Sequence, residues 1–162
     1  MEIADLTRLA AGTSGPTAFA EIRRLHGPAV HRFCLVVLGD SAAAEAAANR
    51  VLRLASAAHG ADRPDAARAL MWLLGIACQA TIEARRRPPR RRRVADGPPQ
   101  LGAALTVAAG LPERELLAVA LRSAAGLGYA EIGSLLSTSA EAARMACSWA
   151  LRRIREGAAA AG

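Results

Sequence analysis

The strongest candidate for chemistry in this sequence is a dense group of arginines in its middle. Seven arginines fall within residues 85–93, where no acidic residue occurs: Arg85, Arg86, Arg87, Arg90, Arg91, Arg92 and Arg93. The 162-residue chain has 21 arginines, no lysine and 14 acidic residues, so these seven account for the whole net charge of +7. Such a run attracts polyanions, nucleic acid in particular. Composition leaves open the alternative of a solvated linker without a ligand.

A second basic group lies near the C-terminus, in a helix predicted over Ser139–Glu156. A periodicity of 3.6 residues directs one face of this helix toward the core, with Ala143, Cys147, Ala150 and Ile154. Other side chains of the same helix suit phosphate contacts: Arg144, Ser148, Arg152, Arg153 and Arg155. Such contacts position a protein on nucleic acid without specifying its sequence.

The outward face of this last helix is nearly apolar, with Ala142, Met145, Ala146 and Trp149. These residues lack the donors and acceptors that discriminate base pairs, so we expect a weak sequence preference. Two interpretations of Met145 and Trp149 stay open. They pack on a neighbouring helix, or they form a contact surface for a partner protein, because exposed large apolar groups often mark interaction sites.

The sequence offers no catalytic or metal-binding constellation. His31 and Cys34 share a predicted helix face, but two potential ligands without a CxxC pair favour core packing over a metal site. No phosphate-cradling glycine loop, no HExxH motif and no nucleophile paired with a base occurs. We therefore expect no enzymatic activity, no cofactor and no metal.

The cysteines and the apolar runs bear on where the chain acts. Cys34, Cys78 and Cys147 are scattered and odd in number, which is typical of a protein from a reducing compartment. The sequence shows neither a signal peptide nor an apolar run approaching the roughly 18 residues of a membrane span. These features predict a cytoplasmic protein that does not contact a membrane.

The elements that must position these residues are all predicted to be helices, with no alternating run long enough for a strand. In the first half they span Thr17–Leu25, Pro28–Leu38, Ala42–Ala58, and a stretch from Pro64 to the arginines. In the second half they span Leu101–Ala109, a helix from Pro112 to Gly126, Gly128–Leu136 and Ser139–Glu156. Thr138 and Glu141 have the spacing of a capping box.

The prolines and glycines around the arginines interrupt the helical pattern and mark a boundary. We predict an all-α chain of two small helical domains, at residues 17–87 and 101–156, joined by a Pro- and Arg-rich linker at 88–100. The last two helices, with a three- or four-residue turn between them, form a helix-turn-helix arrangement.

Two segments resemble the extracytoplasmic-function sigma factors. In the first half, HGPAVHRFCLVVLGDSAAAE and MWLLGIACQATIEARRR are similar to the second conserved sigma region. In the second half, LPERELLAVALRSAAGLGYAEIGSLLSTSAEAARMACSWALRRIR resembles the fourth region, with its LPxRE opening and its G-L-x-Y-x-E-I step. The resemblance implies a bundle that grips the RNA polymerase clamp and opens the minus-ten element, and a helix-turn-helix that contacts the minus-thirty-five element.

The resemblance also indicates which residues contact partners, and where the chain departs from the family. It assigns Glu45 and Asn49 to the helix that docks on the clamp. There the family has an acid and a glutamine where this chain has Ala46 and Asn49, and a bulky aromatic where it has Ala55-Ser56. The implied partners are RNA polymerase core, promoter DNA and an anti-sigma or other regulatory protein.

Three functions follow as hypotheses. The first is a sigma-like factor that binds RNA polymerase core and promoter DNA. The second is a degenerate sigma-like regulator that acts through protein contacts at Met145 and Trp149 and supports little initiation. The third is a free-standing helix-turn-helix regulator that does not bind polymerase.

Overall fold

The computed structural model describes residues 16–57, 68–87 and 99–160, and these residues form seven helices and no strand. The helices are α1 (Pro16–Leu38), α2 (Ser41–Ala57), α3 (Ala69–Arg86), α4 (Pro99–Ala109), α5 (Glu113–Ala125), α6 (Tyr129–Leu135) and α7 (Ala140–Ala160). The all-α prediction is confirmed for this part of the chain. The predicted start of a helix at Pro64 lies outside the described residues.

The prediction of two separate helices before residue 39 is wrong, because α1 continues through Pro28 without a break. Proline removes one backbone donor, so the carbonyl of Arg24 loses its helical partner. The residue before a proline is disfavoured in a helix partly because its Cβ meets the proline ring. Gly27 has no Cβ, which removes that part of the clash and lets one long helix form.

Side chains cap the first turns of α2 and α7. Asp40 caps α2, since its Oδ1 accepts a hydrogen bond from the backbone N–H of Ala43 at 2.7 Å. The capping box predicted from Thr138 and Glu141 is wrong, and the Glu141 carboxylate pairs with Arg144. Ser139 caps α7 instead, accepting from the Ala142 N–H at 3.0 Å.

The first three helices pack on one another around a small apolar core. Its largest fully buried side chains are Phe33 of α1 and Leu73 and Leu74 of α3, with Val51 on α2. Alanines of α2 fill the positions between them, which lets the three helices approach closely.

In the second half α5 is the central helix. Every residue from Leu116 to Leu121 is buried, although six consecutive residues cover the whole circumference of a helix. Helices α6 and α7 cover one side of α5 and α1 covers another. A helix that is apolar all round needs such enclosure, so α5 depends on both halves of the chain for its burial.

Helix α7 extends four residues beyond the predicted end at Glu156. At Gly157 an added Cβ would lie 2.7 Å from Cγ2 of Val107, so the absence of a side chain lets α4 pack closely against α7. The predicted linker at 88–100 lies outside the described residues except for the first two positions of α4. The division into domains at 17–87 and 101–156 stays a prediction.

Candidate nucleic-acid and partner interface

Helices α6 and α7 are joined by a tight four-residue turn, Leu136 to Ser139. The backbone N–H of Thr138 donates to the carbonyl of Gly133 at 2.8 Å and closes this turn. A Cβ on Gly133 would lie 2.8 Å from the Thr138 carbonyl oxygen, so the close approach of the two helices requires glycine there. Ser137 adopts a left-handed conformation with φ of 52°. The angle between α6 and α7 is therefore fixed by backbone contacts.

The buried face of α7 is wider than the sequence predicted. Ala143, Cys147 and Ala150 are buried as expected, and Ile154 is half-buried. Ala146, which was assigned to the outward face, is only 5% exposed. That assignment is wrong because α7 contacts α4, α5 and α6 together, so more of its circumference is covered than one apolar stripe implies.

The outward face of α7 retains its aromatic residue. Trp149 is 46% exposed and Met145 is half-buried, so the indole is not packed into the core of the described chain. Leu151 is a further exposed apolar residue, at 43%, that the sequence reasoning did not single out. Leu151 lies outside the core face that the 3.6-residue periodicity predicts, and that position could have identified it as exposed.

The polar residues of α7 differ in how freely they can reach a ligand. Arg152 is exposed, and Ser148 uses its Oγ to donate to the Arg144 carbonyl. Arg155 donates from Nε to the Leu151 carbonyl at 3.3 Å. Arg152 and Arg155 therefore present their charge to solvent on the same helix.

Two arginines of α7 already have acidic partners. Arg144 donates from Nε to Glu141 at 3.0 Å, and this hydrogen bond lowers the pKa of Glu141 and raises the pKa of Arg144. Arg153 lies 3.4 Å from Oε2 of Glu115, a carboxylate in the first turn of α5 that is 13% exposed. A phosphate that approaches either arginine must compete with a carboxylate of the same chain.

The central arginines fall into three groups. Arg85 is half-buried and donates to the carbonyls of Val37 and Ala109, at 3.2 and 3.1 Å. Arg86 and Arg87 end α3 with exposed side chains. The remaining four lie outside the described residues: Arg90, Arg91, Arg92 and Arg93.

The residues assigned to the polymerase clamp share one exposed face of α2. Glu45, Ala46, Asn49 and Ser56 are all exposed, and their spacing repeats at the helical period. Ala55, at the position where the resemblance implies a bulky aromatic, is fully buried. An aromatic side chain at residue 55 would therefore have to enter the core in this chain rather than face a partner.

The weak metal candidate does not form a site. His31 is exposed whereas Cys34 is fully buried. Among residues 16–57, 68–87 and 99–160, no group of three or more His, Cys, Asp or Glu side chains could hold a metal ion. Burial raises the pKa of Cys34 and of Cys78 to about 12.

Among the seven helices of the described residues, none has the length and the hydropathy that a membrane span needs.

Comparison with known proteins identifies a similarity of fold. No protein-family model and no curated protein matches the sequence. Among solved structures, the chain is similar to the sigma factor RpoE from Bartonella quintana, solved as a co-crystal with the anti-sigma factor NepR. The TM-score is 0.65 and the identity 16%, over 85% of this chain and 94% of that chain. The described helices thus have a sigma-factor-like fold.

Proposed function

We propose that this chain is a sigma-like regulator of transcription that acts by binding and not by catalysis. In this proposal α6 and α7 form a helix-turn-helix that contacts promoter DNA, and the exposed face of α2 around Glu45 and Asn49 binds RNA polymerase core. The protein acts in the cytoplasm. The observation that carries the proposal is the rigid α6–turn–α7 unit, whose long helix carries exposed arginines in a chain with a sigma-factor-like fold.

The exposed face of α2 supports the proposal of polymerase binding because its side chains are accessible to a partner and are not needed for packing. Glu45 and Asn49 are exposed and make no contact that the fold requires. Such a surface can be changed with little effect on stability. Its departures from the family at Ala46 and Ser56 remove bulk and charge, so we expect the complex to be weaker than that of a typical sigma factor.

The decisive experiment adds the purified chain to core polymerase and tests for a stable complex by gel filtration. Changing Glu45 and Asn49 together to Ala should lower the fraction bound. Leu54 follows Glu45 by nine residues and is exposed on the opposite side of α2. Changing it to Ala is the matched control and should change the fraction bound less. If the wild type forms no complex, the chain is a free-standing helix-turn-helix regulator or a regulator that acts through another protein.

DNA binding by this chain should be dominated by phosphate contacts. Each neutralised phosphate contributes about −0.9 to the slope of log affinity against log salt on duplex DNA. Changing residues Arg90 to Arg93 to Ala should make the slope shallower. An unchanged slope would show that these arginines belong to a linker without a DNA contact.

A second candidate function is favoured by the exposure of Trp149. An aromatic side chain covers about 150–250 Å², so burial of the exposed 46% against a partner removes roughly 100 Å² and contributes about 2.5 kcal/mol. Trp is also enriched among the residues that dominate protein interfaces. In this proposal the chain uses α7 to bind a regulatory protein and has little sequence preference on DNA.

The test of this second function exchanges Trp149 for Arg. Trp149→Arg should weaken binding of the regulatory protein. It should also strengthen DNA binding and steepen its salt slope by about 0.9, because it adds one phosphate-binding cation. Leu54→Arg, at an exposed leucine of α2, adds the same charge and should steepen the slope less. If the wild type already selects one promoter sequence strongly, and Trp149→Arg abolishes that selection without disturbing any protein complex, the indole is a DNA contact and the second function is wrong.

A further inference from the structure

Two arginines of the first half donate hydrogen bonds to backbone carbonyls of the second half. Arg32 of α1 donates from Nε to the Ala124 carbonyl at 3.2 Å. Arg85, the last residue but one of α3, donates from Nη2 to the Ala109 carbonyl at 3.1 Å. Its Nη1 donates to the Val37 carbonyl of α1 at 3.2 Å. One guanidinium thus joins three helices.

The three acceptors share a position in their helices. Ala109 is the last residue of α4, and Val37 and Ala124 are the last but one of α1 and α5. Carbonyls in the last turn of a helix have no partner within it and carry the negative end of the helix dipole. A guanidinium offers several donors in one plane and a permanent charge, so it suits two such carbonyls at once.

The two halves also share one apolar core. We define the seam as the contact of α1 and α3 with α4, α5 and α6. Helix α1 packs on α5, whose residues 116–121 are all buried. An added Cβ on Gly75 of α3 would be in van der Waals contact with Cδ2 of Leu135 on α6, at 3.7 Å. Separation of the halves would expose one face of α5 to water.

Neighbouring arginines provide an internal comparison. Arg86 and Arg87 follow Arg85 directly, yet their side chains are exposed and they cap no helix across the seam. The first arginine of the basic run therefore differs in role from the two that follow it. Charge and sequence position are nearly the same at Arg85 and Arg86, so a difference between their variants reflects the different contacts of the two side chains.

We propose that Arg85, assisted by Arg32, is a clasp that holds the two halves of the chain closed, and that it is not a phosphate contact. The clasp fixes the relative position of the face of α2 and of helix α7 in the free protein. A partner that needs a different spacing of these two surfaces must first break the clasp. The inference does not depend on RNA polymerase or on a promoter sequence.

The experiment compares Arg85→Ala with Arg86→Ala in the full chain. Small-angle X-ray scattering reports whether the chain is closed, and a compact chain of 162 residues has a radius of gyration of about 15 Å. Hydrogen exchange of the α5 amides reports the opening of the seam. Arg85→Ala should expand the chain and speed exchange in α5 by about tenfold, since hydrogen bonds from a charged group each contribute on that order. Arg86→Ala should do neither.

The same pair of variants separates a clasp from a DNA contact. With a random-sequence DNA duplex as the probe, Arg86→Ala should reduce the salt slope, whereas Arg85→Ala should leave it unchanged. The proposal is overturned if Arg85→Ala reduces the slope as much as Arg86→Ala does while the chain stays compact. It is equally overturned if exchange in α5 is the same in both variants.

Two further variants keep the test decisive if Arg85→Ala does not fold, as judged by far-ultraviolet circular dichroism. Arg85→Lys keeps the charge but lacks the planar fork, so it should open the seam partly and leave the slope unchanged. Arg32→Ala removes the other hydrogen bond across the seam and should speed α5 exchange. If both variants match the wild type in α5 exchange, the apolar contact alone closes the chain and no clasp exists.

Discussion

Replacement of Gly133 by Ala tests whether backbone contact fixes the geometry of α6 and α7. The added Cβ would lie 2.8 Å from the Thr138 carbonyl oxygen, 3.0 Å from the Ser139 carbonyl carbon and 3.1 Å from the Ala140 nitrogen. All three neighbours are backbone atoms in a turn closed by the Thr138 N–H, so none can rotate away. We expect the turn to shift and α7 to move relative to α6.

The expected free energy combines two opposed effects. Ala favours a helix over Gly by about 1 kcal/mol, whereas overpacking costs about 1–3 kcal/mol. Gly133→Ala should therefore destabilise the chain by about 1 kcal/mol. Gly75→Ala is the matched control, since it lies within a helix and its Cβ would meet Leu135 at 3.7 Å, an ordinary contact. It should gain about 1 kcal/mol from helix propensity alone.

Thermal unfolding of the two variants measures the difference. A gap of about 2 kcal/mol corresponds to melting temperatures roughly 4–8 °C apart for a chain of this size. The affinity for a DNA duplex should also fall in Gly133→Ala and not in Gly75→Ala. If Gly133→Ala is as stable as Gly75→Ala, the turn is compliant and the close approach at Gly133 does not fix the unit.

Three further predictions concern other parts of the chain. Asp40→Ala should lower the free energy of unfolding by about 1 kcal/mol in a denaturant titration because it removes the cap of α2, and Asp40→Asn, which can still cap, should lose less. An arginine-specific protease should cut first within Arg85–Arg93, before Arg122 in α5; an earlier cut in α5 would mean that the domain boundary is misplaced. Burial raises the pKa of Cys34 and of Cys78 from 9.0 to about 12, so these thiols ionise at lower pH in the unfolded chain than in the folded one. The free energy of unfolding should therefore be unaffected by these thiols below a pH of about 9 and should decrease from there toward pH 12. The decrease should be smaller in a Cys34→Ala, Cys78→Ala double variant.

The sequence located most helices because their signals are local. The apolar periodicity of α7 identified Ala143, Cys147 and Ala150 as core, and all three are buried. The resemblance to sigma factors, based on short motifs, predicted an all-helical fold that the similarity to RpoE supports. The helical periodicity of α7 also predicted Trp149 to be an outward residue, and the indole is exposed.

What the sequence missed depends on neighbours distant along the chain. Ala146 is buried because α7 packs against three other helices. The number of helices that contact α7 cannot be predicted from the local sequence pattern. Helix α1 continues through Pro28, and its packing on α2, α3 and α5 offsets the one lost hydrogen bond.

Arg85 shows most clearly what the sequence determines and what the tertiary structure determines. In the sequence, Arg85 is one of seven arginines that nothing distinguishes from one another. The sequence determines that a basic segment begins at the end of α3. Only the tertiary structure brings the C-terminal ends of α1 and α4 within 3.2 Å of its guanidinium. Charge is a property of the sequence, whereas the partner of each charge is decided by which helix ends the fold brings together.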